Sequence, residues 1–272
     1  MPSRPFRTAR TKAGALTASA AALLSVGLLD PATATAATTA PSGHAPAHAT
    51  AAVLDLDGTG RTPEIHGQDR AYDTASIVKV DILAALLLQA QDQGRHLTAR
   101  ERKLAEPMIR RSDNAAANTL WRQIGRASGL AAANKRLGLT ATTGGPGAKW
   151  GLTRTTASDQ IRLLRAVFDS GGTARAGSGG LDAESRAYVR TLMSHVVPEQ
   201  TWGVSAAGGP GSRRALKNGW LQRSTTDLWD VNSVGQVTIK GHRYLVAVLS
   251  DGSASMSDGV SLVERTARAA MA

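Results

Sequence analysis

An α+β fold is expected, with one antiparallel sheet built from the two ends of the globular chain and an all-helical lobe between them. Three observations predict it. Candidate strands cluster at the start and the end, candidate helices fill the middle, and the two types do not alternate as βαβ units would. The 272 residues, 42% hydrophobic and 19% charged, are enough for one large domain or two intimate ones with a sizeable core.

In chain order, "MPSRPFRTARTK" carries four basic residues, "AGALTASAAALLSVGLL" is apolar, and "DPATATAA" offers small residues at A-x-A spacing. This predicts a secretory signal peptide over residues 1–36, cleaved after Ala36, and hence a secreted, extracellular protein. The apolar run is short and Ala-rich, which argues against stable membrane insertion. The sequence has no cysteine, so neither a disulfide nor a thioether-linked lipid is expected. Residues 37–50, rich in Pro, Ala, Thr and His, read as a flexible linker, and the domain is expected over 51–272.

The formal charge is +11; Arg4, Arg7, Arg10 and Lys12 against Asp30 account for +3 of it, leaving +8 for the remainder. The basic residues are scattered, with no aromatic interleaving, so nucleic acid is not an expected partner. Association with an anionic cell wall suits the charge of an exported protein better.

"AAVLDLDGTGR" and "TPEIHG" read as two strands about a turn at Asp57–Gly58. A helix is expected from near Ser76 to about Gln91; its apolar residues surround the axis, as in a central, buried helix. Thr98 with Glu101 three residues later forms a capping box. Two further helices should end near Gly125 and Gly138. A Gly-rich loop, "GLTATTGGPGAKWGLTR", leads to amphipathic helices in "TTASDQIRLLRAVFDS" and "DAESRAYVRTLMSHV". "RRALKNGWL", "DLWDVNSVGQV" and "HRYLVAVLSDG" read as strands, and "DGVSLVERTARAAMA" as a closing helix. No internal repeat is evident.

Ser76 and Lys79 lie three apart at the mouth of the most apolar run. A buried ammonium is costly unless it is paired or loses its proton. Lys79 therefore either reaches solvent past the helix end or is wanted beside Ser76 as a base. The spacing puts both on one helical face, and Ser76 at the helix N-terminus would sit where free N–H groups favour developing negative charge. Two more pieces follow: Ser112–Asp113–Asn114 at a loop-to-helix junction and Lys217–Asn218–Gly219 on a predicted strand.

Ser-x-x-Lys, Ser-Asp-Asn and Lys-x-Gly in this order and these contexts resemble the signature of class A β-lactamases and penicillin-binding proteins. The resemblance covers essentially residues 51–272. It implies a β-lactamase/DD-peptidase-like fold, a five-stranded antiparallel sheet flanked by helices plus the all-α lobe, with the active site between the two. It also implies that Ser76 is the nucleophile, Lys79 its base and Ser112 the proton shuttle. Asn114 would hold a substrate amide, Lys217 and Asn218 a substrate carboxylate, and the N–H groups of Ser76 and Trp220, after Gly219, the oxyanion. The substrate would be a small-molecule β-lactam or a peptide ending in D-Ala. A monomer is expected, and no metal or other cofactor.

Three departures from that family matter. The loop that carries its deacylating glutamate has no acid here before Asp159 on the next helix. A positioned base is worth about 10² to 10⁴ in rate, so slow deacylation is expected. Asn218 stands where the family has threonine. The segment between Ser76 and Ser112 is shorter, which would leave the cleft more open. A D-Ala peptidase or an esterase of the cell wall is therefore an alternative. A non-catalytic β-lactam- or peptidoglycan-binding module is another, against which stands the presence of all five polar residues of the motifs. The six histidines show no metal-ligand spacing. Of the five tryptophans, Trp150 and Trp220 are the candidates for lining the cleft. "GGPG" at 144–147 lacks the Gly-Lys-Ser/Thr of a phosphate loop.

Overall fold

A computed structural model describes residues 46–60, 62–169 and 179–272. The expected signal peptide and linker residues 37–45 lie outside the described residues. The strands are β1 His48–Asp55, β2 Glu64–His66, β3 Tyr72–Asp73, β4 Arg154–Thr155, β5 Arg214–Gln222, β6 Trp229–Ile239 and β7 His242–Asp251. The helices are α1 Val78–Asp92, α2 Ala99–Arg110, α3 Asn114–Gln123, α4 Arg126–Leu137, α5 Ala157–Phe168, α6 Ala183–Ser194 and α7 Met256–Ala269.

The sheet has five antiparallel strands in the order β2-β1-β7-β6-β5, as the family resemblance implies. Alternation along the strands sends residues to opposite faces. Ala52, Leu54, Leu245, Ala247 and Leu249 join the core around α1 and α5. Ala51, Val53, Val246 and Val248 pack with Val263 and Ala267 of α7. β1 starts at His48 and pairs with β7 from its first residue, so the sheet takes in three residues assigned by sequence to the linker. Thr50 among them is fully buried, its hydroxyl 2.9 Å from Tyr72 Oη and donating to Gln68 O.

Helix α1 is the axis of the helical part. Every residue from Val78 to Leu88 is buried, which explains its lack of a single apolar stripe. Two of these are charged types, Lys79 and Asp81, at 0% and 1% exposure. The Thr98–Glu101 capping box opens α2 as read: Glu101 N donates to Thr98 Oγ1 at 3.2 Å, and Thr98 N to Glu101 Oε2 at 2.7 Å. Gly138 ends α4 in a left-handed conformation, φ 72°.

The helix expected from Ser76 begins instead as a 3-10 turn, Ala75–Ile77, before α1 proper. The carbonyls ahead of it are already taken. Asn232 Nδ2 on β6 donates to Asp73 O at 2.8 Å and Thr74 O at 3.1 Å, leaving Thr74 O only a tight i→i+3 bond from Ile77 N. The Gly-rich loop contains a second 3-10 turn, Trp150–Leu152, and strand β4, which pairs with β3.

Candidate active site

Ser76 lies in the middle of the first 3-10 turn, 9% exposed. Three contacts fix that turn. Asn232 grips it from β6, Thr74 N donates to Thr153 O at 2.8 Å, and Gly219 of the edge strand β5 lies directly against it. A Cβ at Gly219 would come within 2.7 Å of the Ser76 and Ile77 nitrogens and 2.8 Å of Thr74 O, all backbone atoms, so only glycine lets the strand approach this closely. The residue before the serine, Ala75, has φ 47°, a left-handed conformation held at some cost by these surroundings.

Lys79 follows one turn later and does not escape to solvent. Its Nζ donates to Ser112 O at 2.7 Å, Ser112 Oγ at 3.0 Å and Asn114 Oδ1 at 2.7 Å. Ser112 reaches it because its own φ is 58°, which turns the loop between α2 and α3. That loop is anchored at both ends: Pro107 O accepts from Arg111 N and Asp113 N, at 3.1 Å each, and Asp113 caps α3 by accepting from Ala116 N at 2.7 Å.

Lys217, fully buried on β5, completes the cluster. Its Nζ donates to Ser112 Oγ at 3.0 Å and Asn218 O at 2.7 Å. Two lysine nitrogens thus converge on one hydroxyl. Burial pushes the Lys79 amine down to about 7, with Asp113 pulling weakly the other way. Burial, reinforced by the nearby Lys79, drives Lys217 well below the ordinary lysine range. One lysine can therefore be neutral near pH 7, which gives the Ser112 hydroxyl both a donor and an acceptor.

Asn218, expected at a substrate carboxylate, is committed elsewhere. The alternation of β5 turns it away from Lys217 and Gly219, and it is fully buried. Its Nδ2 donates to Gln200 O and Trp202 O, at 3.0 Å each, and its Oδ1 accepts from Ser233 Oγ at 2.6 Å. Gly203, φ 89°, fits above this group: a Cβ there would meet Ser233 Oγ at 2.2 Å. Trp220 is half-buried beside Trp202, ring centroids 5.9 Å apart.

Sequence reasoning missed Asn232; the available signal was an amide in the middle of the apolar β6 run. It flagged Trp150 without its contact, the indole face 4.7 Å from Lys79 Nζ. The Trp150–Leu152 turn packs against the Ser76 turn. No acid from this loop region faces the cluster: Asp159 is fully buried and spent on Ala141 N, Thr142 Oγ1 and Arg162. Among the described residues there is no group of three or more metal-ligating side chains, and no helix long and apolar enough to cross a membrane.

This combination of sheet, helical part and serine-centred lysine pair defines a β-lactamase-like serine hydrolase. A model of the β-lactamase enzyme family matches residues 88–272, and the chain belongs to that family. The match takes in Ser112, Asn114 and Lys217–Trp220 but begins after Ser76 and Lys79. The provisionally named lipoprotein LppW of Mycobacterium tuberculosis is 27% identical over 179 residues, 64% of this chain and 54% of that protein; its Mycobacterium bovis counterpart matches equally. The chain thus spans about half the length of the curated relatives it matches. Among solved structures, a PBP-A variant as its penicillin-G acyl-enzyme superposes with TM-score 0.66 and 23% identity, covering 83% of this chain and 89% of that one. The extended-spectrum β-lactamase TLA-3 gives 0.68 and 14%, covering 82% and 91%. At these identities the likeness is one of fold.

Proposed function

We propose that the protein is an exported acyl-transfer hydrolase that is acylated at Ser76 by β-lactam amides and releases the acyl group slowly. The observation that carries this reading is the convergence of Lys79 and Lys217 on Ser112 Oγ, at 3.0 Å each. A Lys79 amine brought down to about 7 can take the Ser76 proton as Oγ bonds to the lactam carbonyl carbon. The C–N bond then breaks, and Ser112 passes a proton to the leaving nitrogen, with Lys217 holding its hydroxyl. The N–H groups of Ser76 and of Trp220, on an edge strand with free backbone donors, receive the oxyanion. Asn114, already on Lys79, has its amide N–H left for a substrate carbonyl.

Slow deacylation is supported by the loop sequence, which brings Trp150 rather than a carboxylate to this side of Lys79. The acyl-enzyme described for a PBP-A variant is an adduct of the type proposed. Export is supported by the character of residues 1–36, and by relatives named as a lipoprotein. The catalytic domain is taken as residues 51–272 together with the start of β1, with a β-lactam or D-Ala peptide as its small-molecule partner.

A second reading, an esterase acting on acyl donors without a carboxylate, is favoured by Asn218, whose polar atoms are all engaged within the protein. Intact mass against time after mixing with penicillin G, with Ser76→Ala as control, separates the possibilities. A persistent adduct on the wild type alone is expected. Hydrolysed penicillin accumulating without a lasting adduct would mean fast turnover. No adduct with penicillin, but one with an activated ester, would favour the esterase. No adduct with either would leave a binding module.

A further inference from the structure

We propose that Trp150 is a fixed roof over Lys79 that keeps water off that side of Ser76 and so prolongs the life of the acyl-enzyme. The inference rests on the acyl-transfer reading above and assigns the persistence to a residue.

All three hydrogens of a protonated Lys79 are taken by Ser112 O, Ser112 Oγ and Asn114 Oδ1. The indole face of Trp150, 4.7 Å away, covers a further side, and the lysine is left with no exposed surface. The roof is tethered. Trp150 Nε1 donates to Asn118 Oδ1 at 2.7 Å, one turn along α3 from Asn114. Its loop is pinned as well: Trp121 Nε1 donates to Gly147 O at 2.8 Å, and Gly145 N to Thr153 Oγ1 at 3.0 Å. Gly145 is required for that closure, since a Cβ would meet Lys149 O at 2.1 Å. Thr153 in turn accepts from Thr74, two residues before the serine.

Deacylation needs a water oxygen to bond to the acyl carbon as the Ser76 Oγ–C bond breaks, with the water proton taken by a base and one returned to Oγ. Asp159 is spent and Asp113 caps α3, so the bases left in the cluster are the two lysines, of which Lys79 lies one turn from Ser76 and Lys217 is held on Ser112 Oγ and Asn218 O. A roof on Lys79 excludes the water while leaving the Ser76–Lys79 face available for acylation. The same exclusion desolvates the amine and favours its neutral form; the ring face by itself favours the ammonium, but burial is the larger effect at Lys79. The charged groups facing Lys79 are Asp113 ahead of α3, which pulls its titration up against the effect of burial, and Lys217 from β5, whose own titration Lys79 lowers.

The test uses the full chain with Trp150→Ala and Trp150→Phe, and two readouts. One is the lifetime of the penicillin-G adduct by intact mass. The other is the Lys79 titration by NMR of protein labelled at lysine Cε, assigned with Lys79→Arg. Trp150→Ala should shorten the adduct lifetime by roughly 10-fold or more, a fraction of what a positioned base is worth, and move the Lys79 titration to higher pH. Trp150→Phe, which keeps a ring face but not the Nε1 tether, should restore part of both. Asn118→Ala, cutting only the tether of an exposed side chain, should shift both partway and carries the test if Trp150→Ala does not fold. An adduct as durable as wild type with an unmoved Lys79 titration would overturn the roof. If the wild type forms no adduct, the acyl-transfer reading fails for penicillin; the titration then decides, an alkaline shift upholding the roof and an unmoved one rejecting it.

Discussion

Replacing Asp81 by Asn should make the protein more stable, and increasingly so as pH rises. Asp81 sits inside α1, 1% exposed, and neither carboxyl oxygen has a hydrogen-bond partner. The Gln160 side chain lies near it, its Nε2 given to Thr155 Oγ1 at 3.1 Å and its Oε1 unpartnered. Burial raises the carboxyl to about 7 from 3.8, with the Asp159 charge adding to the shift and the nearby Gln160 amide and the Asp81 backbone opposing it without completing a well-formed hydrogen bond. That difference of about 3 pH units corresponds to roughly 4 kcal/mol. The sign follows from proton counting. Between about 4 and 7 the native state holds a proton that the unfolded chain has released, so stability falls as pH rises through this window and levels off above it. Less than half of the loss is present by pH 5 and nearly all of it by pH 8. Asn is neutral at every pH, so it carries no such pH-dependent cost. Urea unfolding of both proteins at pH 5 and pH 8 should show the advantage of Asp81→Asn growing by roughly 2 to 3 kcal/mol, other titrations cancelling in the difference. An advantage that is the same at both pH values would refute the reasoning, because Asp81 would then ionise as it does in water.

Acylation by penicillin should speed up with pH along a limb centred near 7, as the lysine pair loses a proton; stopped-flow rates from pH 5 to 9 would trace it, and a flat profile would remove Lys79 as the base. Gly219→Ala should push the Ser76 turn off β5 and cut acylation by about 10², a cost typical of an ångström-scale misplacement, while circular dichroism stays native. Thr98→Ala should cost about 1 kcal/mol in chemical denaturation through loss of the α2 cap, with the acylation rate unchanged.

What could be read from the sequence was what short-range chemistry encodes. The capping box at Thr98, the all-round burial of α1 and the alternation of the sheet strands each follow from a few neighbouring residues. The three polar motifs announced the cluster because their order is distinctive, and the structure brings Lys79, Ser112, Asn114 and Lys217 within hydrogen-bonding distance. What could not be read depends on partners far along the chain. Asn232 grips Asp73 O across 159 positions. Asn218 looked like a substrate ligand by its place in a motif, but strand alternation and the carbonyls of Gln200 and Trp202 claim its amide. The extra strand residues His48–Thr50 sat in a composition typical of linkers; pairing with β7 orders them regardless.

The central claim, that this chain forms a covalent acyl-enzyme at one serine, is tested most directly by peptide mapping of the penicillin-treated protein with tandem mass spectrometry. The account predicts the penicilloyl group on Ser76 alone, in a peptide that Ser76→Ala leaves unmodified. An adduct on another residue, or an adduct that persists in Ser76→Ala, would contradict it.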